Sequence, residues 1–151
     1  MTYSEWEATL PAAVTNDLLW RVQAFRLATF LGACVELDTR SMGRDGRFHQ
    51  SIGQLCRAAG SVAANIAEGY PRQSARDRVR YYEYALGSAS ETKSWYLHGR
   101  NALAPAVVEE RYVLILSITR LLVRMIRSSR DVPVAGDPFR GMPPAKDLSG
   151  R

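Results

Sequence analysis

Two cysteines, two histidines and two lysines in 151 residues leave little material for a metal centre or a disulfide framework. Cys34 and Cys56 stand 22 positions apart, which matches no zinc spacing, and two reduced core thiols are the reading that remains. His49 and His98 hold no metal-type spacing to each other or to the cysteines. No metal and no other cofactor is therefore expected. Long apolar runs are lacking too: the most apolar stretch, residues 113–123, is broken by Ser117, Thr119 and Arg120, which excludes a membrane-spanning helix. A basic-then-apolar leader pattern is absent from the N-terminus, so the chain is expected to be cytoplasmic and to have no membrane partner.

What is abundant is arginine. The net charge is +5, and 18 of the 20 basic residues are arginine. That balance suits an acidic partner, RNA or DNA among them. The length corresponds to one domain, large enough to bury a core without cross-links.

Three regions follow from the pattern along the chain. Residues 1–15 form a lead, in which Ser4-Glu5-Trp6-Glu7 has the form of a capping box and Pro11 stops any helix soon after. Residues 132–151 form a tail with four of the seven prolines and no periodicity, expected to be extended or disordered. Between them, residues 16–131 read as four helices of about 20 residues, each roughly 30 Å long.

The first helix spans about 16–37, capped by Asn16 or Asp17, with Trp20, Ala24, Leu27, Leu31 and Cys34 on its inner stripe. A reversing loop over 38–47 follows. The second, about 48–68, carries Ile52, Leu55, Cys56, Ala59, Val62, Ala63 and Ile66 inward, with Gly69 as a left-handed stop before Pro71. The third opens at Ser74, with Asp77 at the third helical position, and its stripe is Val79, Tyr82, Leu86, Ala89, Tyr96 and Leu97. The fourth opens at Pro105 and buries Leu114, Ile115, Ile118, Leu121, Leu122, Met125 and Ile126. No alternating pattern marks a strand. Four matched helices with short connections predict an all-α, up-down antiparallel four-helix bundle.

The second helix has a second face to explain. Arg57, Ser61, Ala64, Asn65 and Glu68 lie opposite the apolar stripe, with Ala58 at their border. Ala's helix propensity would account for an exposed Ala-rich helix, but not for Gly60, Ser61 and Asn65 in its interior. A subunit interface is expected on this face. Ser61-Val62-Ala63-Ala64-Asn65-Ile66-Ala67-Glu68-Gly69, followed by Ala85-Leu86-Gly87-Ser88 and Glu91, resembles the four-helix bundle family named for the 23S rRNA intervening sequence protein. Asp17-Leu18-Leu19-Trp20 and Arg57-Ala58-Ala59 fit the same pattern in the same order, so the resemblance covers about residues 16–130. It implies an up-down bundle that assembles with itself as a homopentamer. It also implies kinship with accessory proteins of diversity-generating retroelements, basic bundles that contact a reverse transcriptase and nucleic acid. Lys93 departs from the pattern, standing where a second acidic residue is common. It falls on the apolar arc of the third helix, where it needs a partner or a route to solvent.

An enzyme is not expected, and no catalytic residue is assigned. Glu68 and Glu91 are the tempting carboxylates, but about sixteen residues of helical rise put them roughly 24 Å apart, beyond the roughly 10 Å of a glycosidase pair. Nucleophile-elbow, phosphate-loop and dinucleotide motifs are absent, and Gly87 within the third helix suggests close helix packing.

Up-down topology gathers the arginines that sequence order scatters. Arg21 and Arg26, then Arg72, Arg76 and Arg80, then Arg124, Arg127 and Arg130 converge on one end. Asp17, Glu68, Asp77, Glu83 and Asp131 dilute them. Tyr70, Tyr81 and Tyr84 are near enough for base stacking. The expectation is a non-enzymatic scaffold whose basic end binds RNA, DNA or a protein partner such as a reverse transcriptase, without sequence readout. The alternative is a protein-interaction adaptor whose arginines only keep it in solution.

Overall fold

A computed structural model describes residues 1–44 and 46–130. The sequence-predicted tail lies outside the described residues. Two short helices, α1 (Tyr3–Glu7) and α2 (Ala12–Thr15), lead into four long ones: α3 (Gln23–Met42), α4 (His49–Gly69), α5 (Ala75–His98) and α6 (Pro105–Arg130). Among the described residues there is no strand, and no helix is long and apolar enough to cross a membrane.

The four long helices form an up-down antiparallel bundle in which α4 packs between α3 and α5, and α6 closes the square between α5 and α3. One apolar core runs through it. Leu31, Leu55, Val62, Ile66, Tyr82, Ala89, Ile115, Ile118 and Leu122 are buried, as the helical periodicity predicts. Ser74 caps α5, its Oγ accepting the Asp77 N–H at 3.3 Å. Pro105 takes the first position of α6, where its missing N–H costs nothing.

The structure departs from expectation at several places. The first long helix starts at Gln23, not near residue 16: Asp17 caps a separate 3₁₀ turn (Leu18–Arg21), and extended Val22 breaks the path. The same helix runs on to Met42, so the first half of the expected 38–47 loop is helical. The lead segment, residues 1–15, packs on the bundle through Trp6. Trp6, Trp20, Phe30 and Cys34 make a second buried cluster, with the Trp6 ring 5.3 Å from Phe30 and 6.0 Å from Trp20. The capping box of α1 is Thr2 with Glu5, because the helix begins a residue before Ser4 could cap it.

Gly69 is not a left-handed stop, since α4 includes it in ordinary helical conformation. Its lack of a side chain serves packing: a Cβ there would sit 2.9 Å from both Tyr81 Cβ and Tyr82 Cε1. Gly87, expected at a close helix contact, is exposed with nothing near it. Leu97 and Cys56, placed on the inner stripes, are exposed. Lys93 is half-buried, and its backbone carbonyl accepts the Tyr112 hydroxyl at 3.0 Å.

Asp38 is the buried charge the periodicity did not reveal. It is 6% exposed near the C-terminal end of α3. Tyr96 Oη donates to its Oδ2 at 2.7 Å, and Arg111 donates through Nε to Oδ2 (2.8 Å) and Nη2 to Oδ1 (3.3 Å). Three helices meet on one carboxylate. Burial, then the Asp38 charge, pushes the Tyr96 phenol well above its usual range. Burial pulls the Arg111 guanidinium down, but its bonds to Asp38 outweigh this and raise it.

Candidate nucleic-acid interface

The antiparallel order puts the start of α3, the end of α4, the start of α5 and the end of α6 together. Seven of the eight sequence-picked arginines lie on or near the open surface of this end, and their side chains are held in different ways. Arg21, Arg76, Arg124 and Arg127 are exposed and have no side-chain hydrogen bond or ion pair among the described residues. Arg80 is exposed and lies 5.7 Å over the Tyr84 ring.

Arg72 is engaged. It pairs with the Glu68 carboxylate, donates to the Glu68 carbonyl and to Tyr81 Oη, and lies 4.9 Å over the Tyr81 ring. Arg130 reaches from α6 to Glu83 on α5 at 2.5 Å. Arg26 is set back from the surface. It is half-buried, 4.0 Å from Glu7 and close enough to Tyr3 to oppose the burial and Glu7 contact that push that phenol up to about 12. Its Nε is buried without a hydrogen-bond partner among the described residues, although a third of the side chain stays exposed.

Two features of this end were not picked from the sequence. Arg78 is half-buried, with a buried Nε that has no hydrogen-bond partner among the described residues. Burial raises the Tyr82 phenol, and the Arg78 charge opposes that shift. The second feature is a cleft between the start of α5 and the end of α6. One lobe of about 450 Å³ is bordered by Arg76, Arg80, Glu83 and Arg130, with Ala75 and Val79 as its apolar wall. Only tertiary packing of helices some 50 residues apart creates it.

Tyr81 and Tyr84 meet edge to face at 6.0 Å, and Tyr70 and Tyr84 keep large exposed faces, so aromatic surface does border the arginines. The proposed interface face of α4 is less uniform. Arg57, Ala64 and Glu68 point outward, Ser61 is half-buried, and half-buried Asn65 donates to the Ser61 carbonyl at 2.8 Å. Ala58 does not belong to this face: at 3% exposure it packs within the subunit, because its angular position lies beside Ala59 and Leu55. Cys56 and Gly60 take its place on the outside. Glu68 is common to both surfaces, since its carboxylate holds Arg72.

The tempting catalytic groups are occupied locally. Glu91 accepts the Trp95 indole N–H at 3.2 Å, and His98 sits edge-on between Trp95 and Phe48. Among the described residues no three His, Cys, Asp or Glu side chains are placed to hold a metal ion.

The fold and this end together define an all-helical bundle with an arginine-rich pole. A family model for the 23S rRNA-intervening sequence protein matches residues 33–128, and the chain belongs to that family. No curated protein matches it. A crystal structure of a protein of unknown function from the S23 ribosomal protein family of Bacteroides thetaiotaomicron is similar, with a TM-score of 0.64 and 22% identity over 69% of this chain and 98% of that one. That likeness concerns the fold.

Proposed function

We propose that the chain is a non-enzymatic, cytoplasmic, homo-oligomeric scaffold whose basic end binds nucleic acid or a nucleic-acid-processing partner such as a reverse transcriptase. One observation carries this reading: Arg76, Arg80, Arg124 and Arg127 project from two neighbouring helices at one pole without carboxylate partners among the described residues. Unpaired arginines on a rigid platform can neutralise phosphates and release their counterions. In a homopentamer, which the family resemblance implies, the pole would be presented five times and weak contacts would gain by avidity. The outward residues of α4, small or polar, leave room for the close approach of a second subunit.

The test is retention of labelled RNA at low salt, comparing the wild type with charge reversal at Arg76, Arg80 and Arg124. Loss of retention supports the reading, and unchanged retention refutes it. Leu97, Val113 and Leu116 are exposed apolar side chains on α5 and α6, and they favour the second reading, a protein-interaction adaptor. Salt-insensitive capture of a protein partner, lost on Val113→Asp, would select it.

A further inference from the structure

The cleft at the basic pole has a second lobe. It measures about 330 Å³ and is bordered by Tyr82, Leu121, Arg124, Met125 and Ser128. Ser129 lines both lobes and joins them. This serine is 8% exposed; its hydroxyl makes no hydrogen bond among the described residues, but it is not among the fully buried unpaired side-chain atoms there, which are Arg26 Nε and Arg78 Nε. A serine within a helix commonly bonds the carbonyl one turn back, as Ser88, Ser90, Ser94 and Ser117 do in this protein. Ser129 makes no such bond among the described residues, and it stands where two arginine-bordered hollows meet.

We infer that this cleft seats two adjoining nucleotides of a single strand, with their phosphodiester on Ser129. The inference rests on the nucleic-acid reading above and names its seat and the form of the strand. Charge complementarity carries it: Arg76, Arg80 and Arg130 border one lobe and Arg124 the other, against the single carboxylate of Glu83. Each volume is within or near the range that holds a small organic ligand. The walls are too apolar for a free inorganic anion, because Val79 in one lobe and Leu121 and Met125 in the other offer nothing to phosphate but much to a base. Ala75, the first residue of α5, brings that helix's positive end to the wall, and the negative end of α6 is offset by Arg127 and Arg130. The Arg130–Glu83 ion pair lies at the edge of the first lobe, which leaves Arg76, Arg80 and Arg124 as the cations free to meet the strand. A stacked duplex keeps its bases inward and reaches only the rim.

The test is fluorescence anisotropy of a labelled ten-residue oligouridylate at low salt with the full chain. Wild type is compared with Ser129→Ala, and with Arg100→Ala as a control at the opposite end of the bundle. Circular dichroism confirms native helicity for each. Removing one hydrogen bond to a charged group should weaken Ser129→Ala about tenfold. Arg100→Ala should change affinity by no more than about threefold, and a duplex of equal length should bind at least about tenfold more weakly than the single strand. Equal affinity of Ser129→Ala and wild type, or of duplex and single strand, overturns the cleft as the seat while nucleic-acid binding stands. So does displacement of the oligonucleotide by millimolar inorganic phosphate at constant ionic strength, which would mark an anion site only. Absence of wild-type binding refutes the nucleic-acid reading itself.

Discussion

Arg111 on α6 grips Asp38 on α3 with two nitrogens of one guanidinium, at 2.8 and 3.3 Å, at the end of the bundle remote from the basic pole. Both side chains are largely out of water, Asp38 at 7% and Arg111 at 12% exposure. A pair of this kind is weak evidence for net stability but costly to break, because the survivor is left buried and charged. Asp38→Ala, which strands Arg111 and also removes the acceptor of Tyr96, should lower unfolding free energy by about 3–5 kcal/mol in urea titration. The double variant Asp38→Leu with Arg111→Met should recover most of that loss. A double variant as unstable as Asp38→Ala would show that the three-helix junction needs the charges themselves.

The buried Cys34 thiol should make stability depend on pH. Burial pushes Cys34 up to about 11 from its usual 9.0, with the Arg111 charge opposing and Asp38 reinforcing, whereas Cys56 is exposed. An acid whose folded value is raised keeps its proton longer in the fold. Its contribution is therefore complete below pH 9 and is lost as pH climbs toward 11. Two pH units correspond to at most about 2–3 kcal/mol. Unfolding free energy measured from pH 8 to 11 should decline, and the decline should be shallower in Cys34→Ala. The raised Tyr96 phenol adds a loss in the same direction beginning near pH 10, so a residual slope should remain in the variant. Identical slopes would place Cys34 in water.

Trp20 Nε1 donates to Glu7 at 3.1 Å, and this bond, with the Trp6 ring, fastens the N-terminal segment to α3. Trp6→Ala should cost about 3 kcal/mol if the segment unfolds with the bundle. If it detaches alone, the main transition should barely move while Trp20 fluorescence shifts red in the native state. The two outcomes are separated by following helicity and fluorescence together.

The stripes of α4, α5 and α6 were legible because each buries one face against two neighbours, which imposes a 3.6-residue period on Leu55, Val62, Ile66, Ile118 and Leu122. Errors at Cys56, Ala58 and Leu97 arose at the margins of those faces, where one residue's rotation of about 100° decides between core and water. Asp38 was illegible for another reason. A carboxylate followed by Gly43 and Gly46 reads as a loop, and its partners lie 58 and 73 positions away in the chain. Gly69 carried a correct signal for the wrong cause, its smallness being required by Tyr81 and Tyr82. At the basic pole, the convergence of arginines followed from topology, but which were already held by Glu68, Glu83 and Glu7 did not. Ion pairs across helices depend on rotamers that the order of residues does not specify.

Gly60 tests the outer face of α4. It is exposed, and a Cβ there would meet nothing within 4 Å in the subunit. In an isolated bundle, Gly60→Ala should therefore stabilise by about 1 kcal/mol through helix propensity. Should this face be a contact between copies, the added methyl intrudes. Light scattering should then show dissociation at lower dilution than wild type, although the separated subunit is more stable. Cys56, one turn away on the same face, supplies an independent readout, since its thiol should react with Ellman's reagent faster as the assembly is diluted. An unchanged mass together with simple stabilisation would assign α4's outer face to solvent.

Two arginines of the pole are restrained by carboxylates, and releasing them should register in salt dependence. Glu83 holds Arg130 and Glu68 holds Arg72. Glu83→Gln removes a negative charge from the edge of the cleft and leaves Arg130 free for a phosphate. For single strands, each added phosphate contact steepens the plot of log affinity against log salt by about 0.7. Glu83→Gln should therefore raise oligouridylate affinity at low salt and steepen the slope by roughly that amount. Glu68→Gln should act less, because Tyr81 still holds Arg72 through its hydroxyl and ring. An affinity gain without a change of slope would mean that Glu83 acts only as a distant repulsive charge. Equal gains from both variants would mean that the strand tracks across the end of α4 as readily as along the cleft between α5 and α6.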